Sequence, residues 1–131
     1  MGLDNGICIR RNEKAMRIYD KIKRFDLDYL REGGYDMDVC YYRKCWNVRN
    51  LISQAIGGIE DNGETVLYRG DVHQVIVALK SLNAKNWNDC GGSIWEWSEQ
   101  KPNIKQHIKN LKYLYKLMEK YDIDVYFYDS Y

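Results

Sequence analysis

Proline occurs once in the 131 residues, at Pro102, and no internal repeat, low-complexity tract or Pro/Gly-rich linker interrupts the chain. That spareness argues against a multidomain string, and the length suits one domain, residues 1–131, with a buried core. Apolar runs are short: none approaches the ~20 residues that span a bilayer. The start, MGLDNGICIRR, lacks the apolar stretch of a secretory signal. Gly6 stands where an N-myristoylation motif needs Ser or Thr. The expectation is a cytoplasmic protein that does not enter membranes. Neither sign of charge dominates: 20 basic residues against 19 acidic ones give +1, which excludes the global basic field of many nucleic-acid-binding domains.

Catalytic signatures are also lacking. GxxxxGK[ST], GxGxxG after a strand, HExxH and GxSxG do not occur. The cysteines, Cys8, Cys40, Cys45 and Cys90, include no CxxC pair, and the Cys40/Cys45 spacing is poor for zinc. They read as reduced, mostly buried thiols, with Cys8–Cys90 and Cys40–Cys45 disulfides as open alternatives. No cofactor or metal is expected. His73 reads as exposed and His107 as a boundary residue of an apolar helix face, neither with a catalytic partner in view. Asp26, Asp28, Glu32, Asp36 and Asp38 cluster in a segment read as a solvated acidic insert, and the calcium-loop-like DNGE lacks the remaining ligands.

Elements can be placed by periodicity. A short strand is expected over Gly6–Arg10. A helix follows over 13–25, with Asn12 as N-cap and Ala15, Ile18, Ile22 and Phe25 inward. A second helix is expected over 38–56, its stripe Tyr41, Cys45, Val48, Ile52 and Ala55 and its end at Gly57-Gly58. After the Asp61-Asn62-Gly63 turn, Thr65–Tyr68 is strand-like. A helix capped at Gly70 or Asp71 carries Val72, Val75, Ile76 and Leu79. Residues 93–98 (SIWEWS, with Trp95 and Trp97 on one face) read as a strand. Pro102 opens a last helix over 103–121, and the alternation Ile123, Val125, Phe127 marks a final half-buried strand. The sum is an α+β domain: a small mixed or antiparallel sheet of about four strands covered by about four helices.

Twelve tyrosines and four tryptophans suit half-wet surfaces. Two basic ridges stand out: Lys14, Arg17, Lys21 and Arg24 on the first helix, and Lys105, Lys109, Lys112, Lys116 and Lys120 along the last. Trp87, in the polar loop AKNWNDC, reads as an exposed anchor, and Tyr128 as a further contact residue. These suggest a partner-binding surface rather than a catalytic one.

The opening Met1-Gly2-Leu3-Asp4, with Tyr41-Tyr42-Arg43-Lys44 opening an amphipathic helix, resembles small uncharacterised phage and prophage proteins that begin MGLD and carry a YWRK-like helix. The resemblance implies a mobile-element context, hence a host-cell cytoplasm, and no site residues. The expected function is therefore a small non-enzymatic binding protein, such as an anti-CRISPR-like inhibitor that occludes a host protein. One alternative is a nucleic-acid-binding or regulatory module using the lysine ridge and aromatics. Another is an enzyme on a small nucleotide-like ligand. A homo-oligomer could neutralise the ridges against the acidic segments.

Overall fold

The computed structural model describes residues 4–25, 36–43, 45–87 and 94–131. Their elements run β1 (Asp4–Ile9), α1 (Glu13–Met16), α2 (Tyr19–Ile22), β2 (Met37–Arg43), α3 (Trp46–Ile56), β3 (Glu64–Leu67), α4 (Arg69–Lys80), α5 (Ile94–Lys120) and β4 (Val125–Ser130). The fold is α+β. Its four-stranded sheet has the order β2-β1-β4-β3, and every pairing is antiparallel.

The period-2 alternation of the strands divides the sheet into two unlike faces. Ile7, Ile9, Leu67, Val125 and Phe127 point into one core with Val48, Ile52, Val75, Leu111 and Leu114 of the helices. Asp4, Gly6 and Cys8 on β1 share the other face with Tyr128 and Tyr126 on β4 and Glu64 on β3, as the register requires. Opposite Ile7 and Cys8 the register jumps from Cys40 to Asp38, leaving Val39 as the extra residue of a β-bulge. The Asn110 amide from α5 donates to the Val39 carbonyl at 2.9 Å, so the carbonyl at the bulge keeps a partner.

Local chemistry sets the element ends. Asn12 caps α1, its side chain accepting from the Ala15 N–H at 3.1 Å. Gly57, at φ 83°, ends α3 in the left-handed region that costs glycine nothing. Asn62 also has positive φ, at 52°, in the turn before β3. The cap of α4 is Tyr68, with the Asp71 carboxylate accepting the Tyr68 N–H at 2.8 Å, where Gly70 or Asp71 itself was expected.

Three expectations are corrected. Residues 37–43 form the strand β2, not the start of a helix, so Tyr41–Arg43 of the phage-like segment lie on a strand. Their run of valine, cysteine and tyrosine suits a pleated, half-buried surface. Asn47, which is not part of the expected stripe of Tyr41, Cys45, Val48, Ile52 and Ala55, is also buried in α3. Residues 94–98 are not a strand but the start of α5, which runs through Pro102. Trp97, Lys101 and Ile104 continue the helical spacing and Trp97 packs on the core, which outweighs the lost backbone hydrogen bond at proline. The expectation that Trp95 shares a face with Trp97 rests on a side chain, that of Trp95, that lies outside the described residues. The first helix is broken into α1 and α2 by turn residues 17–18. Tyr113 of α5 donates to the Lys21 carbonyl at 2.8 Å, tying α2 to the helical layer.

Candidate functional site

The lysines of α5 recur every three or four residues, so they rise along one side of the helix. Lys105, Lys109, Lys112, Lys116 and Lys120 are all exposed, as are Lys101 before them and Lys80 at the end of α4. Among the described residues none of these seven takes part in an ion pair. The other ridge is different. Lys14 pairs with Asp122 and Asp124, Arg17 with Glu13, and Lys21 with Asp20. Internal partners quench most of the first ridge and leave the second open.

Five of the open lysines border a groove where α4 and α5 pack side by side. One part of it, about 230 Å³, is floored by Leu79, Trp97, Ile104 and Ile108 with Lys101 and Lys105 at its rim. The other, about 420 Å³, has Ile76 and Tyr115 below Lys112 and Lys116. Lys80 lines both. Close approach of the Lys80 ammonium lowers the pKa of Lys112: like charges are brought together where an anion would relieve them. His73, exposed as expected, lies at the far lip, with its ring 5.8 Å from that of Tyr115. Lys109 and Lys120 are not among the groove-lining residues.

No family model, curated protein or solved structure matches the chain. Its own geometry therefore carries the functional reading.

Trp87 is corrected from exposed anchor to core residue, at 1% exposure. The asparagines around it serve the loop itself. Asn83 accepts from the Lys85 and Asn86 N–H groups, and Asn86 donates to the Ser81 carbonyl. With the turn's polar groups satisfied locally, the indole turns inward against Trp97, ring centroids 5.5 Å apart. Among the described residues the exposed large aromatics lie elsewhere: Tyr68 at the cap of α4, and Trp46 and Tyr131, whose rings are 5.2 Å apart with the Arg49 guanidinium near both.

Tyr128 lies on the sheet face away from the helices, in a concavity of about 360 Å³ lined also by Asp4, Asp36, Asp38, Glu64 and Tyr126. Its carboxylates are already engaged. Asp4 accepts from Tyr41 at 2.6 Å, Asp36 accepts from the Tyr126 hydroxyl, and Glu64 pairs with Arg10 at 2.5 Å. The Cys8 thiol donates to Asp38 at 2.5 Å. Burial first, and then the Asp38 charge, push the Cys8 pKa far up, so this is a poor nucleophile. Burial likewise raises Tyr126 and Tyr128. Asp38 belongs to β2 rather than to a solvated insert; Asp26, Asp28 and Glu32 lie outside the described residues.

His107 is buried rather than at a boundary, its ring edge-on to Tyr42 at 4.7 Å, and its Nδ1 has no partner among the described residues. Desolvation lowers its pKa to about 4. Cys8, Cys40 and Cys45 are buried, Cys8 and Cys40 as free thiols; Cys90 lies outside the described residues. Among the described residues no group of His, Cys, Asp or Glu is arranged to hold a metal, and no helix is long and apolar enough to cross a membrane.

Sequence reasoning missed Lys80, Lys101 and the groove floor. The signal was present on α4: His73, Ile76 and Lys80 fall at i, i+3 and i+7, one side of a helix. Reading that helix only for its inward stripe hides it.

Proposed function

We propose that this chain is a binding protein that docks an acidic partner protein on its α4–α5 face. The observation that carries the reading is an apolar-floored groove lined by five exposed lysines, Lys80, Lys101, Lys105, Lys112 and Lys116, unpaired among the described residues. Unpaired lysines steer and orient an acidic partner, and the apolar floor gives the contact a centre that can be desolvated. Nucleic acid fits less well. A phosphate backbone has no use for a floor of Ile104, Ile108 and Trp97, and the rim is lysine rather than the arginine that binds phosphate bidentately. The carboxylates of the sheet face would also repel a polyanion that wrapped the molecule.

The resemblance at residues 1–4 and 41–44 supports a mobile-element context. In that context the specific form we propose is an anti-defence inhibitor that acts by occluding a host protein.

Anisotropy titration tests the docking face. Labelled poly-glutamate and a labelled duplex DNA are titrated with the wild-type chain and with a Lys105→Glu/Lys112→Glu/Lys116→Glu variant. Poly-glutamate should bind with a salt-dependent affinity that the variant loses. Equal binding by the variant would remove the α4–α5 face from consideration.

A further inference from the structure

The α4–α5 groove has a shape as well as a charge. Its apolar floor follows one stripe of α5, through Trp97, Ile104, Ile108 and Tyr115, and is closed on the other side by Ile76 and Leu79 of α4. From Trp97 to Glu119 that stripe runs for about 33 Å at 1.5 Å per residue. The shorter helix α4 walls only part of that run, and Glu119 stands at its end; an apolar strip flanked by charge is the kind of seat that an amphipathic helix takes. The rim is lysine along most of its length.

We infer that the occupant of this groove is an acidic amphipathic helix of about 20 residues, its apolar stripe on the floor and its carboxylates against the lysine rim. Lys80 of α4 lines both parts of the groove, and Lys112 of α5 lines the larger part beside it. A carboxylate placed between these two ammonium groups would relieve their repulsion and be clamped by both. Exposed lysines with no internal partner lose no existing ion pair on docking, so only shed water and side-chain freedom offset their attraction to the incoming carboxylates. The inference rests on the acidic-partner reading and adds the partner's secondary structure and its register on Lys80 and Lys112.

Three probes separate the possibilities by anisotropy at low salt. The first is a 20-residue amidated peptide of leucine and glutamate, with leucines at i, i+3, i+4 and i+7. The second has the same composition rearranged so that the leucines do not align. The third is a duplex DNA. The amphipathic peptide should bind at least about tenfold tighter than its isomer, since aligned leucines bury together against the floor. Its affinity should fall steeply with salt. Lys80→Glu/Lys112→Glu, both exposed positions, should weaken it by about tenfold or more, while circular dichroism shows the variant folded. If both peptides bind equally, the helical occupant is wrong and the acidic-partner reading survives. If neither binds, or the duplex binds tighter than both, that reading fails with it. If the double variant binds like wild type, the Lys80–Lys112 clamp is overturned.

Discussion

Arg49 holds Asp129 with two parallel hydrogen bonds, Nε to Oδ1 at 2.8 Å and Nη2 to Oδ2 at 3.0 Å, and the Asp129 side chain is fully buried. The same carboxylate accepts the Asn62 N–H at 3.1 Å, and Arg49 also reaches Asp61 at 2.6 Å. One ion pair thus fastens helix α3, the turn before β3 and the end of strand β4. Arg49→Ala would leave a buried carboxylate with only its backbone donor, and should cost about 3 to 5 kcal/mol. Arg49→Lys, which cannot fork, should recover part of that. Urea unfolding measures both; a loss below about 1 kcal/mol, the scale of an exposed pair, would show the bridge to be incidental.

His107 makes stability depend on acid. Its pKa is lowered to about 4 in the folded chain, against about 6.5 when unfolded. Below 6.5 the unfolded chain takes up the proton first, so stability is complete above that value and falls as pH drops toward 4. At pH 5 the loss from this group is about 2 kcal/mol. Comparing urea midpoints at pH 7 and pH 5 in wild type and His107→Asn isolates it. An unchanged pH difference in the variant would show that His107 is not the group responsible.

Two glycines should respond in opposite ways to the same methyl group. A Cβ at Gly6 would lie 2.4 Å from the Cys40 carbonyl and 3.0 Å from the Tyr128 ring, whereas one at Gly70 meets nothing within 4 Å. Gly6→Ala must push strands apart and should destabilise by about 1 to 3 kcal/mol or more. Gly70→Ala, in the first turn of α4, should stabilise by about 0.5 to 1 kcal/mol. Thermal melts of the two variants check both signs at once.

Tryptophan substitutions should rank by burial. Trp87→Ala empties a core site at 1% exposure and should cost about 3 to 5 kcal/mol. Trp46→Ala, at 44% exposure, should change stability by less than about 1 kcal/mol. Denaturant midpoints decide, and a mild effect at Trp87 would contradict its placement.

Much of this fold was legible from period and punctuation. The long 3.6-residue stripe of α5, the alternation in β4, the Asn12 cap and the Gly57 stop each follow from local chemistry that tertiary packing reinforces. The failures have a common cause. In 37–43 and 94–98 a short aromatic and β-branched run fits either element, and neighbouring strands or core contacts decide. Four strands were expected and four exist, but 94–98 was assigned in place of 37–43. Trp87 was misjudged because asparagines that cap their own turn look like solvent-facing residues. The lysine rim was half visible: spacing lines up the α5 members, but only the packing of α4 brings in Lys80. The buried Arg49–Asp129 pair, 80 positions apart in the chain, had no local signal.

A near-zero total charge gives little idea of the field this molecule makes. Its carboxylates at Asp4, Asp36, Asp38 and Glu64 gather on the outer sheet face and its unpaired lysines on the helical layer. Although Arg10 offsets Asp36 and Glu64, the two groups give the described residues a charge asymmetry that the near-zero total hides. Such a body is not pulled strongly from afar; it is turned as it arrives. An approaching charged surface would feel a torque that presents α4 and α5 to a negative object and the tyrosine-lined sheet to a positive one. Orientation, rather than attraction, would then set how often an encounter is productive.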